Sequence, residues 1–186
     1  MISTASLWLP ILVTAIGVFI ASSLIHMVFK WHNGDYHKLG NEDQVRAALR
    51  AGNPPPGLYG LPHCTDMKDM AGAEMQQKFK EGPVGLLLLR GPGRPNMGKS
   101  LGLWFALNLL VALLCGHLAA GSVAAGADPH HAFHLVALVT LLAYGGGSIQ
   151  WGIWWGMPWR AVAKDLLDAL IFGVLSGVVF MWLWPH

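Results

Sequence analysis

Four stretches of this chain carry no charged side chain: Leu7 to Phe29, Leu101 to Ala127, Ala132 to Met157 and Leu170 to Pro185. An α-helix needs about 20 apolar residues to cross the roughly 30 Å hydrocarbon core of a bilayer, because each residue rises about 1.5 Å. The fourth stretch is short and reaches that length by extending back through Asp168 and Asp165, which then fall near the membrane surface. Only 12% of the 186 residues are charged, against roughly 25% in a soluble domain. The expectation is an all-α integral membrane protein with four transmembrane helices. One lies within residues 1–29, a small cytoplasmic α(+β) segment covers 30–100, and residues 101–186 hold the other three.

The positive charges orient such a bundle. If the spans alternate, the connection from Lys30 to Lys99 and the short one around Arg160 and Lys164 share a side, and together they hold all 12 Lys and Arg residues. The positive-inside rule makes that side the cytoplasm and puts both termini outside, as expected for a multi-pass protein of a bacterial inner membrane. All nine tryptophans fall near span ends: Trp8, Trp182 and Trp184 as an outer belt, the remaining six as an inner one. Met1 to Ser6 has no basic residue and the apolar run exceeds a signal-peptide core, so the first span is expected to stay as an anchor. Cys64 and Cys115 fall on the cytoplasmic segment and within a span, which excludes a disulfide between them.

Within the cytoplasmic segment, "NEDQVRAALRAG" has Asn41 as N-cap, Gln44 three residues on, acids in the first turn and Gly52 past the end, and predicts a short helix. "NPPPGLYGLP" must leave helical geometry, since three consecutive prolines remove donors and fix φ. A second helix is expected from Thr65 to Lys80, with Met67, Met70, Ala71, Met75 and Phe79 near one face, stopped by Gly82 and Pro83. "VGLLLLR" reads as an extended run with which "GLYGL" can pair. A segment this small sits near the lower limit for burying its own core, so it is expected to lean on the membrane or on a partner.

Gly93, Gly98, Lys99 and Ser100 spell G-x-x-x-x-G-K-S, the pattern of a phosphate-binding loop. Three features speak against nucleotide binding. Pro95 removes a backbone donor from the loop, the helix that follows is a membrane span, and no apolar strand ending in Asp supplies the magnesium ligand. A turn built on Gly91, Pro92, Gly93 and Pro95, with Arg94 and Lys99 among anionic headgroups, explains the same residues. Nothing in the sequence suggests nucleic-acid binding.

Helices pack in lipid through small residues, and three spans show them at four-residue spacing: Ala112, Gly116 and Ala120; Ser148, Gly152 and Gly156; Ala169, Gly173 and Gly177. Gly145 to Gly147 offers a place for the third span to bend. Lys164 and Asp168, four residues apart, are expected to form an interfacial ion pair. Asn108 and Gln150 are expected to bond between helices.

Histidine is the sharper signal. "ADPHHAFH" opens the third span with Asp128 as N-cap, and His130 and His134 share a face at i, i+4, the spacing that offers two imidazoles to one metal. His117, beside Cys115 at the end of the antiparallel second span, makes a third ligand for a metal ion or a haem iron. His63, Cys64, Met67, Met70 and Met75 resemble soft-metal ligands, but methionines on one helix face are more simply apolar filler or a partner-contacting surface. His26, His32 and His37 show no ligand spacing.

"NEDQVRAALR", "PPPGLYGLP" and "GRPNMGKSLGLWF" between the first two spans, with "MPWRAVAKDLLDAL" before the last, resemble a group of small bacterial inner-membrane proteins. That resemblance covers most of the chain. It implies four spans and a bacterial origin, and it carries over no activity and no site residue. With no catalytic constellation in view, the expected role is non-enzymatic: an accessory, scaffold or assembly subunit contacting lipids and other integral membrane proteins, or further copies of itself. Metal or haem binding through the outer histidines is the alternative. A transporter is the third, and it would need a water-accessible cavity at Asp168, Asn108 or Gln150.

Overall fold

A computed structural model describes residues 2–124 and 126–185; the side chain of Met67, one of the soft-metal candidates, lies outside the described part. The chain divides into two compact units, one formed by residues 1–36 with 96–186, the other by 37–95.

The first unit is a helical bundle. Its helices are α1 (Trp8–Ser23), α5 (Met97–Ser122), α6 (His130–Trp155) and α7 (Trp159–Trp182). A 3-10 turn over Thr4–Leu7 leads into α1 and a π-helical stretch over Leu24–Phe29 continues it, so the first helical run spans Thr4–Phe29. All four runs are long and apolar enough to cross a membrane, which marks the chain as a multi-pass membrane protein. Helix is what such segments must form, because hydrocarbon offers no partner for a free N–H or C=O.

The bundle core joins all four helices. Leu7, Ile11 and Ala15 meet Ala112, Cys115 and Ala119 of α5, Ala132 and Val136 of α6, and Phe180 of α7. Small residues set how closely the backbones approach. A Cβ built on Gly116 would lie 2.8 Å from Ile11, one on Gly173 2.7 Å from the carbonyl oxygen of Ala137, and one on Gly177 2.7 Å from the ring of Phe133. Ala112, Ala120 and Ala169 are buried, and Gly152 faces Val162 and Trp159. Two members of the second small-residue row, on α6, do other work. Ser148 donates a hydrogen bond to Asp165, and Gly156 closes α6 at a positive φ of 70°. Helix α6 runs unbroken through Gly145 to Gly147, with Gly145 against Ala169 and Leu166. Two tryptophans depart from the belts expected of them. Trp184 is buried in the core, and Trp104 turns its indole N–H to Ser22 Oγ at 2.8 Å.

The second unit holds α2 (Glu42–Gly52), α3 (Met67–Met70), α4 (Ala73–Glu81) and two strands, β1 (Gly57–Leu61) and β2 (Gly85–Leu89). The strands pair antiparallel, with Leu58 opposite Leu88 and Tyr59 opposite Leu87. The single helix expected from Thr65 to Lys80 is instead two, because Gly72 leaves helical geometry at ψ 144°. Asn41 occupies the N-cap position of α2 without a side-chain capping bond, and Asn53 closes that helix in the left-handed region. Among its described residues this unit has no fully buried side chain.

Candidate functional site

The strongest concentration of polar chemistry lies at one end of the bundle, where the π-helical end of the first run, the turn after it and the first half of α7 meet. Ser22 and Ser23 both donate to the carbonyl of Phe19, a back-bonding pattern that loosens a helix. The helix then widens into its π stretch, and the N–H of Lys30 reaches back to Ile25 at 2.8 Å. Lys30 adopts φ 54°, reversing the chain into a 3-10 turn over Trp31–Asp35. This places His26, Trp31, His32 and Asp35 beside Lys164, Asp165 and Asp168 of α7.

Asp168 is the hub. Its side chain is buried at 8% exposure, and Trp31 Nε1 donates to Oδ1 at 3.1 Å. His32 Nε2 lies 2.9 Å from Oδ2, and His26 Nε2 lies 4.0 Å from the same oxygen. The other ring nitrogen of His32 faces two more carboxylates, Asp35 at 3.5 Å and Asp165 at 3.8 Å. The two imidazoles stack with centroids 4.8 Å apart. Lys164 bonds to Asp35 at 2.6 Å and to the carbonyl of Trp31 at 2.7 Å. That ammonium holds the Asp35 carboxyl below its usual range. The expected Lys164–Asp168 pair is therefore corrected: the turn brings in Asp35 as the partner of Lys164, while Asp168 takes Trp31 and His32.

A cavity of about 210 Å³ opens beside the cluster, lined by His26, Trp104, Tyr144, Ser148, Asp165 and Asp168. Of the residues marked for a transport path, Asp168 reaches this cavity. Asn108 is buried and accepts a hydrogen bond from Tyr144 at 2.8 Å, and Gln150 is exposed.

The three histidines expected at the outer face are not brought together. His117 Nδ1 is 3.2 Å from Thr4 Oγ1, His130 Nδ1 is 2.8 Å from Asp128, and His134 lies edge-on to Phe133. Cys115 is buried against Thr140 of α6 at 3.6 Å. The N-cap position of α6 falls to Pro129, one residue later than expected, and Asp128 just before it accepts the backbone N–H of His130, which together with the ring holds its carboxyl below the usual range. Among the described residues, the one trio of His, Cys, Asp or Glu ligand atoms close enough to share an ion is His26, His32 and Asp168. The sequence contained one pointer to it. An acid inside a span is costly and seeks partners, and the alternation of spans already placed Lys30, His32 and Asp168 at the same membrane face.

At the nucleotide-like pattern, Asn96 caps α5 by accepting the N–H of Lys99 at 3.0 Å, so a side chain already occupies a donor that a phosphate would need. Strand β2 belongs to a two-stranded antiparallel sheet in place of the parallel sheet such a loop requires. The chain matches no family model, no curated protein and no solved structure.

Proposed function

We propose that this chain is a multi-pass protein of a bacterial inner membrane that serves as an accessory, scaffold or assembly subunit of a larger membrane complex. In this arrangement residues 30–100 face the cytoplasm and both termini face outward. The observation that carries the proposal is the second unit's lack of a core. Ordering a backbone costs about 1–2 kcal/mol per residue, and a fully buried leucine returns about 1.5–3 kcal/mol. No described side chain between His37 and Pro95 is fully buried, and a lone two-stranded hairpin is marginal in water. The hairpin displays the cross-strand pair Leu58 and Leu88 at 54% and 65% exposure, with Leu61 and Val84 also exposed. An external surface that covers this pair supplies the missing burial, and a protein partner held in the same membrane meets that need.

The test is native mass spectrometry of the chain released gently from its own membrane. The expected result is a complex heavier than the 20.1 kDa chain by a defined protein mass, lost when Leu58 and Leu88 are replaced by Glu. A chain that emerges alone, or a complex indifferent to L58E/L88E, refutes the proposal.

A further inference from the structure

We propose that His26, His32 and Asp168 form a binding site for a divalent first-row transition-metal ion, with zinc as the simplest occupant. One ligand atom from each lies within 4.8 Å of the other two. In a tetrahedral site with metal–ligand distances near 2.0–2.1 Å, neighbouring ligand atoms sit about 3.3 Å apart. The observed separations from Asp168 Oδ2, 2.9 Å to His32 Nε2 and 4.0 Å to His26 Nε2, bracket that value. Two imidazoles and one carboxylate suit zinc, iron, cobalt or nickel. They do not suit Cu(I), which prefers sulfur, or calcium, which prefers oxygen alone.

The groups behind the ligands point the same way. A metal-binding histidine almost always gives its other N–H to a carbonyl or carboxylate, which fixes the tautomer and aims the free lone pair. His26 Nδ1 is 2.9 Å from the carbonyl of Ser22, so its N–H resides there and Nε2 is left as an acceptor. His32 Nδ1 faces Asp35 at 3.5 Å and Asp165 at 3.8 Å without a hydrogen bond to either, while its Nε2–H donates to Asp168 Oδ2. A metal ion would take the place of that proton, and Nδ1 would then carry one toward Asp35 Oδ2, a buried oxygen with no partner among the described residues. Asp168 is held by Trp31 through the oxygen that does not face the histidines. His26 and Asp168 thus have an orienting hydrogen bond on the far side, and the other ring nitrogen of His32 faces two carboxylates. Lys164 balances Asp35, and an ion of charge +2 would balance Asp165 and Asp168.

Room and access are present. The adjoining cavity of about 210 Å³ holds several waters at roughly 30 Å³ each, so a water can complete the coordination with Asp165 beside it. Stacked rings hold their lone pairs parallel, and capture of an ion requires them to splay. His26, 54% exposed, is the ring free to turn.

The experiment uses the full chain without a polyhistidine tag, purified in detergent and stripped with chelator. Zn²⁺ binding is followed by calorimetry, and Co²⁺ by its visible spectrum. The expected result is one ion per chain, with affinity falling at least tenfold in His26→Ala and in Asp168→Asn and unchanged in His130→Ala. His26→Ala removes a half-exposed side chain, so it keeps the bundle intact; Asp168→Asn keeps an oxygen for Trp31. Retained tryptophan fluorescence and unfolding temperature confirm both folds. Binding that survives both substitutions, or is lost in His130→Ala, overturns the proposal, as does a folded wild-type chain that takes up no more Zn²⁺ than the His26→Ala chain.

Discussion

Replacing Gly173 by alanine tests the packing of the bundle where a glycine most closely approaches a neighbouring backbone. Glycine has no Cβ, and the structure places the missing atom 2.7 Å from the carbonyl oxygen of Ala137 on the facing helix α6. Ordinary contact begins at 3.4 Å, so α6 and α7 must part locally by about 0.7 Å, at a cost of about 1–3 kcal/mol for an overpacked methyl. The obstacle is backbone, which cannot swing aside like a flexible side chain, so the upper half of that range is expected. Gly146, on α6 itself, has nothing within 4 Å of its missing Cβ. Alanine there meets no obstacle and improves helix propensity by up to about 1 kcal/mol. The nine tryptophans provide the signal for unfolding in mixed detergent and SDS. Gly173→Ala is expected to unfold at clearly lower SDS fraction than wild type, and Gly146→Ala at equal or higher. A Gly173→Ala chain as resistant as Gly146→Ala would mean that the α6–α7 contact is not as close as described.

Three further outcomes are expected. Phe180→Ala removes a ring with no exposed surface from the main core and should cost about 3–5 kcal/mol in the same assay. Trp104→Phe removes the indole N–H that meets Ser22; a loss of about 0.5–1.5 kcal/mol is expected, and Ser22→Ala combined with it should add little further loss. The third concerns Asp128, whose carboxyl is held below its usual value of 3.8 by the backbone and ring of His130. The ionised form is thus favoured by the folded state. Its contribution to the start of α6 is complete above that value and disappears as pH falls through the lower folded value. Amide exchange in the first turn of α6, corrected for intrinsic rates, should accelerate across that acidic window and stay flat near neutrality. In Asp128→Ala the acid-linked acceleration should be gone.

The spans were legible because lipid imposes a one-dimensional rule. A charge-free run of sufficient length has one stable form, and α5, α6 and α7 begin and end within a few residues of the changes in composition, once the fourth run is extended back to Pro158. The hairpin was legible for a similar local reason, since "GLYGL" and "VGLLLLR" are short apolar runs flanked by turn residues. Side chains whose partners lie far along the chain left no such local signal. Asp168 and His32 are separated by 136 positions. No periodicity links them, and the turn that joins them depends on a π-helical widening and a left-handed Lys30. His130 and His134 had the spacing of ligands, but Asp128, two residues away, took the ring of His130, and His117 turned to Thr4. Gly72 interrupted an otherwise helical pattern because glycine is a poor helix former, and the extended turn it makes leaves little room for a side chain, a Cβ there lying 3.1 Å from the carbonyl of Asp69.

The most direct test of a partner-completed segment is amide hydrogen exchange of β1 and β2 in two settings: the chain in its native membrane, and the purified chain in vesicles of bacterial lipid alone. A protein partner predicts slow exchange at Leu58 and Leu88 in the native membrane and fast exchange in the vesicles. Equal protection in both would show that lipid or the chain itself covers the hairpin, and would contradict the proposed role of accessory subunit.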